Sequence, residues 1–343
     1  MFSNPATPKT ELTAEALEGS LKNSGASTVP TPMPTPEDFE STSAQYKMSE
    51  RDLVDIKDEL VSVARAAGKM MRNADPSVCT DSDTKKNSSD RVTACDKEVE
   101  AMIISRLESS YPEILFLGEE TFKEQRLTDA PTFVCDPIDG TLNFIHGVPN
   151  CATSLSLTID KKPVIGVVYN PFRDHLYTAI KGQGAYFTDT IDGPTLRLPR
   201  KPVLAPLTSL NNCLLGLEWG SQRDGPNWEL RTDMVKTLLS SKPTGDAVVR
   251  SIRTYGSAAL DFCYVAASEM DVFWEGGCWS WDVSAGWIIL LEAGGMVASA
   301  NPDDWNPTLE GRCYLGVRKA EESDQRALIE ELWALMGDRK FVY

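Results

Sequence analysis

Apolar residues along the chain follow two spacings. From Ser49 onward, Leu53, Ile56, Leu60, Ala64, Ala67 and Met71 recur every three or four residues, which predicts a helix with one buried face. Ser49 and Asp52 read as a capping box with Asp in the place usually held by Glu or Gln. A polar stretch over 75–89 follows. The spacing then predicts a second helix from Thr93 to Leu107, with Val99, Met102, Ile103 and Leu107 on its apolar side. Ile114–Leu117 and Thr132–Cys135 read as short strands that stop at Gly118-Glu119-Glu120 and at Asp136. Ala152–Ile159 and Val164–Tyr169 pair as a hairpin around Asp160-Lys161-Lys162, and Tyr177–Ile180 and Ala185–Phe187 continue the sheet.

Beyond about 190 the pattern changes. Pro-rich links lead to a strand at Cys213–Trp219, a helix near 228–240, and strands at Arg250–Arg253 and Asp271–Trp274. A helix of small residues, Ala258–Ala267, lies between the last two. Asp282 to Glu292 is an apolar helix closed by Gly294-Gly295, a C-cap signal. Mixed strands and helices of this kind predict a layered α/β protein with parts at 48–195 and 196–343. Residues 1–47 hold six of the 21 prolines and few large apolar side chains, so a disordered tail is expected there.

Composition narrows the function classes. With 34 basic and 50 acidic residues the net charge is −16, which argues against nucleic-acid or anionic-membrane binding, where clustered Lys and Arg supply the affinity. A content of 41% hydrophobic residues suffices for a real core. No apolar stretch approaches the ~20 residues of a membrane span, and no secretory leader is expected. The eight cysteines form no CxxC pair, so zinc is not expected and reduced thiols in the cytoplasm are. The two histidines, His146 and His175, read as packing or surface contacts, and Cys135 and Cys278 as packing residues.

Three segments carry candidate chemistry. Gly118-Glu119-Glu120 follows a strand. Asp136-Pro137-Ile138-Asp139-Gly140-Thr141 places two acids three residues apart, with Pro137 stiffening the turn and Gly140 allowing close backbone approach. Trp281-Asp282 opens an apolar helix, where Asp282 alone would read as an N-cap. Taken singly, each has a plain structural reading. Together they offer several carboxylates to a hard divalent cation. The start of a helix at Thr141 offers free N–H groups to a phosphate. Acids for metal beside amides for phosphate point to metal-assisted phosphoryl hydrolysis.

These residues carry a resemblance. DPIDGTLNF and WDVSAGWIILLEAGG, with GEE and VTACD in order, resemble the inositol monophosphatase family within the lithium-sensitive, magnesium-dependent phosphatases, over about residues 50–340. FWEGGCWSWDVSAG, with LEWG upstream, is similar to the fungal branch associated with quinate-utilisation genes. The resemblance implies an αβαβα sandwich and hydrolysis of myo-inositol monophosphate by metal-activated water. It also implies two or three Mg²⁺ ions, Li⁺ as inhibitor and a homodimer. Glu119, Asp136 and the Ile138 carbonyl would hold one ion, and Asp136, Asp139 and Asp282 a second. A weaker third ion would sit near Glu119. Glu119 and Thr141 would orient and deprotonate the attacking water, with Asp96 directing the Thr141 hydroxyl. Gly140 and Thr141 would hold the phosphate. Asp139, Gly256, Ser257, Ala258, Glu275 and Asp282 would face the inositol ring, and Lys85 would lie on a mobile loop beside the site.

One departure stands out. Trp279-Ser280 replaces the His-Cys common in animal members, beside the sugar pocket. Trp274, Trp279, Trp281 and Trp287 cluster there, and Trp287 reads as core. Other small phosphates remain open as substrates: 3′-phosphoadenosine-5′-phosphate, histidinol phosphate, fructose bisphosphate or inositol polyphosphate. A catalytically inactive regulatory relative would be expected to lack a metal ligand, yet all four acids are present. A dehydrogenase is disfavoured because no GxGxxG follows a strand.

Overall fold

The first helix, α1 (Glu50–Asn73), forms where the apolar spacing places it. It buries Leu53, Ile56, Leu60, Val63, Ala64, Ala67 and Met71 along one face. Its cap is reciprocal: Asp52 N–H donates to Ser49 Oγ (3.2 Å), and Ser49 N–H donates to Asp52 Oδ2 (2.7 Å). This computed structural model describes residues 48–74, 83–84, 91–92, 94–190, 193–201, 203–241 and 247–343. The expected tail over 1–47 and Lys85 therefore lie outside the described residues.

A two-stranded ladder, β1 (Asp83–Thr84) with β2 (Arg91–Val92), precedes α2 (Ala94–Ser110). A seven-stranded sheet follows, built from β3 (Leu115–Gly118), β4 (Thr132–Asp139), β5 (Ala152–Ile159), β6 (Lys162–Asn170), β7 (His175–Ile180), β8 (Gly184–Asp189) and β9 (Thr195–Arg197). The strands lie in sequence order; β3 and β4 are parallel and the rest antiparallel. The short helix α3 (Thr141–Ile145) links β4 to β5.

A second, five-stranded sheet has the order β11-β10-β12-β14-β13. It comprises β10 (Leu214–Leu217), β11 (Ser251–Arg253), β12 (Val272–Gly276), β13 (Met296–Ala298) and β14 (Cys313–Val317). Its helices are α4 (Gly225–Leu239), α5 (Ala258–Ala266), α6 (Ser280–Glu292) and α7 (Glu322–Met336).

Three cores define the layering. α1 and α2 cover one face of the large sheet through Leu60, Ile103, Phe133, Leu155 and Ile165. α5 and α6 fill the space between the sheets through Phe262, Ile289, Leu290, Val134, Val168 and Phe273. α4 and α7 cover the outer face of the small sheet through Leu230, Met234, Leu328, Leu332, Leu215 and Trp274. The result is the helix–sheet–helix–sheet–helix sandwich expected. Each buried leucine or isoleucine adds roughly 1.5–3 kcal/mol of transfer free energy. The middle helices are buried nearly all round, which explains why α6 is apolar on every side.

Several boundaries differ from those read in the sequence. β13, β14 and α7 were not anticipated, although α7 carries a regular stripe of Leu328, Leu332, Trp333 and Met336. α6 begins at Ser280, two residues before Asp282. β4 continues through Asp139 instead of stopping at Asp136. That last difference shapes the site.

Candidate metal and phosphate site

Residues on a strand alternate between its faces, so Asp136 and Asp139, three apart, would ordinarily point in opposite directions. A bulge removes the conflict. Asp136 pairs with Ser154 and Asp139 with Ala152, so two residues of β4 stand opposite one of β5. Phe133 and Cys135 face the α1/α2 core and Val134 the central helices; Ile138 is returned to the α1/α2 core. Both aspartates are thereby turned toward the central layer. The Asp136 carboxylate stiffens the bulge by accepting from Ile138 N–H (3.0 Å).

Asp282 comes from the first turn of α6. The N-cap is Trp279, a correction to reading Asp282 as the cap. Asp282 sits three residues in and accepts from Trp279 N–H (2.7 Å), the return half of a capping box. Ser154 Oγ donates to Trp281 O (3.0 Å) and holds this helix start against β5.

Oxygens of Asp136, Asp139 and Asp282 lie within 4.8 Å of one another. Asp136 and Asp139 are buried. Burial is the first cause that holds the Asp136 carboxyl well above the usual carboxylate range, followed by the charges of Glu119, Asp139 and Asp282. Asp282 is raised in the same way, by burial and then by Asp139 and Glu119. Asp139 is pushed up to about 6 by burial, against hydrogen bonds that favour its charged form. Three mutually repelling carboxylates gathered in a buried space fit a hard cation, which would reverse each of these shifts. Glu119 is half-buried at the end of β3, outside the 4.8 Å group, and its charge acts on Asp136 and Asp282.

The bulge leads into Gly140 at φ 89°, the left-handed region. A Cβ there would lie 2.8 Å from Gly256 O, so only glycine lets these two loops meet. Asn143 Nδ2 ties them further, donating to Asn150 O (2.8 Å) and Tyr255 O (2.6 Å). The Thr141 hydroxyl stands 3.1 Å from both Asp96 Oδ1 and the Ile138 carbonyl. Asp96 is buried on α2 and keeps the partner expected of it.

Ser257 and Ala258 open α5. Ser257, which the resemblance implies faces a sugar ring, donates its Oγ–H to Asp139 Oδ2 (2.5 Å), and Ala259 N–H donates to the same oxygen (2.8 Å). The Ser257 hydroxyl also caps α5 by accepting from Leu260 N–H (3.3 Å). Glu275 is buried on β12 and pushed up to about 8 by burial and by Glu218.

Four supporting residues escaped the sequence reading. Glu218 accepts from Tyr255 N–H (2.5 Å) and Gly256 N–H (2.9 Å), and burial lifts it to about 7. Asp261, fully buried on α5, is raised by burial and by Glu218. Asn150 receives the Tyr264 hydroxyl and donates to Tyr255 O. Glu100, one turn after Asp96 on α2, accepts from Glu120 N–H (2.9 Å) and holds the loop after β3. Its signal was legible as a second acid at i+4 on a helix face that also carries Val99 and Ile103.

Elsewhere, His146 is exposed, and His175 lies 3.4 Å from Asp189 Oδ1. Burial pushes the Cys135 and Cys278 thiols well up, away from nucleophilic character. Trp287 packs edge-on against Tyr314 beside the central core.

The family model for "Inositol monophosphatase family" matches residues 52–337, nearly the whole of the described fold. The chain belongs to the inositol monophosphatase family. Among inositol monophosphatase relatives, inositol monophosphatase 2 of Saccharomyces cerevisiae is 44% identical over 257 residues, 73% of this chain and 84% of that protein. Protein qutG of Emericella nidulans is 36% identical over 273 residues, 73% and 82% of the two chains. Inositol monophosphatase II from Staphylococcus aureus MSSA476 has a TM-score of 0.61 at 29% identity, over 80% of this chain and 90% of that one. An inositol monophosphate-bound SaIMPase-II has a TM-score of 0.60 at 26% identity, over 80% and 93%. The acidic cluster thus sits in a phosphatase of this family. No described helix is long and apolar enough to cross a membrane.

Proposed function

We propose that this phosphatase hydrolyses myo-inositol monophosphate to inositol and phosphate with Mg²⁺ at the Asp136–Asp139–Asp282 cluster. The observation that carries the reading is the convergence of those three carboxylates within 4.8 Å at a strand bulge and a helix start. Glu119 and the Ile138 carbonyl complete the donor set, for two or three ions. Bound there, the cations supply charge neutralisation and a more acidic water.

The chain's own groups do the rest. Thr141 Oγ, donating to Asp96 Oδ1, keeps lone pairs free to accept a proton from the attacking water. Asp96 orients that hydroxyl and takes up the proton that Thr141 passes on. Glu119, at the strand end, is the second acceptor for the water. Backbone N–H groups of Gly140 and Thr141 receive phosphate oxygens, and the left-handed Gly140 presents them. Glu275, whose carboxyl burial pushes up to about 8, faces a polyol hydroxyl, and Gly256, Ser257 and Ala258 form the facing wall.

With this reading go inhibition by Li⁺, pairing of two copies and a cytoplasmic location. Phosphate release across inositol monophosphates, 3′-phosphoadenosine-5′-phosphate, histidinol phosphate and fructose bisphosphate tests the substrate assignment. Inositol monophosphates are expected among the best; a clear preference for a nucleotide or histidinol phosphate would overturn it.

A further inference from the structure

We propose that Arg312 is a positioning residue for the metal cluster, acting through Trp279 on Asp282; this rests on the metal reading above. Arg312 precedes β14 and takes φ 65°, a left-handed conformation that costs a non-glycine residue about 1 kcal/mol or more. Its backbone and side chain both close on the loop between Glu275 and Asp282. The Arg312 carbonyl accepts from Gly277 N–H (2.6 Å). The guanidinium returns along the same loop, with Nη2 donating to Gly277 O (2.6 Å) and Nε to Cys278 O (2.7 Å).

The guanidinium carbon also lies 3.6 Å from the centroid of the Trp279 ring and 5.1 Å from that of Tyr343. Trp279 stacks on Trp281 at 5.2 Å and 15°, and Phe122 packs on both rings at 5.3 and 5.0 Å. Phe122 follows Glu119 by three residues. The stack therefore joins the Glu119 loop to the start of α6. Trp279 is also the residue whose N–H holds Asp282 Oδ2. Among the described residues, the guanidinium of Arg312 donates to carbonyls and to no carboxylate, while its backbone N–H donates to the Tyr314 hydroxyl (3.2 Å). Its planar fork fixes a loop.

Calorimetric titration with Mn²⁺ tests this on the metal-stripped full chain, with circular dichroism to verify folding. Arg312→Ala and Arg312→Lys are both expected to bind about tenfold more weakly, because lysine keeps the charge and loses the fork. Trp279→Leu, which leaves the backbone bonds of Arg312 in place, is expected to shift in the same direction. Leu328→Ala in the outer helix layer destabilises the fold away from the site and is expected to bind as the unaltered chain does. Unchanged Mn²⁺ affinity in folded Arg312→Ala, full retention in Arg312→Lys, or equal weakening in Leu328→Ala would each overturn the inference. Absence of Mn²⁺ binding by the unaltered chain would overturn the metal reading itself, and the inference with it.

Discussion

Replacing Ser257 by alanine removes one oxygen with two jobs. Its hydroxyl donates to Asp139 Oδ2 at 2.5 Å and accepts from Leu260 N–H at 3.3 Å. A hydrogen bond to a charged partner contributes about 1.5–3 kcal/mol, and a helix N-cap about 1 kcal/mol. The cap loss acts at any pH, so Ser257→Ala should lower stability by about 1 kcal/mol even where Asp139 is protonated. The carboxylate bond acts only on the ionised form. Asp139 already sits at about 6, and the Ser257 bond is the first influence opposing burial. Without it the carboxyl rises further toward neutrality. Cation binding needs the ionised form, so the variant should lose affinity most at low pH. Titration with Mn²⁺ at pH 6, 7 and 8 reads this directly. The gap between Ser257→Ala and the unaltered chain is expected to widen as pH falls from 8 to 6, and Ser257→Thr should close most of it. A gap that is constant across pH, or absent, would refute the reasoning.

Three further outcomes are expected. Thr141→Val should lower kcat by about 10²-fold or more with little change in KM, because the proton path to Asp96 is cut while the phosphate-facing N–H groups remain; steady-state kinetics at saturating Mg²⁺ measure it, and an unchanged kcat would count against the Thr141–Asp96 pair. In metal-stripped protein, Glu218 at about 7 and Glu275 at about 8 lie above the unfolded value of about 4.3, so the folded state binds more protons between those limits. Thermal stability should therefore fall as pH rises from 5 to 9, and Glu275→Gln should flatten the upper part of that curve; a stability that rises with pH would contradict the assignment. Li⁺ added at fixed Mg²⁺ should depress turnover, and an unaltered rate across the titration would speak against a lithium-sensitive site.

The helices and hairpins were legible because burial follows local spacing. α1 shows it best, with every apolar position of its stripe buried. The acids of the cluster were legible as residue types at a strand end and a helix start. What brings them together was not, because a bulge is a property of pairing: nothing between Asp136 and Asp139 shows that one residue of β5 will face two of β4. Supporting contacts were hidden for a similar reason. Glu218 and the Tyr255–Gly256 backbone are 37 and 38 residues apart, and Arg312 reaches Gly277 across 35. Such partners emerge only once the sheet order is known. β13 and β14 were missed because they are short and lie among turns, whereas α7 carried a readable stripe.

The central claim is that three carboxylates gathered at one bulge and one helix start hold the cations on which phosphate-ester hydrolysis depends. Phosphate release from myo-inositol monophosphate, followed while Mg²⁺ is returned to chelator-treated protein, tests it most directly. The account predicts no turnover without the cation, saturable recovery with it, and no recovery in folded Asp136→Asn at the same concentrations. Full turnover in excess chelator, or wild-type recovery in Asp136→Asn, would contradict it.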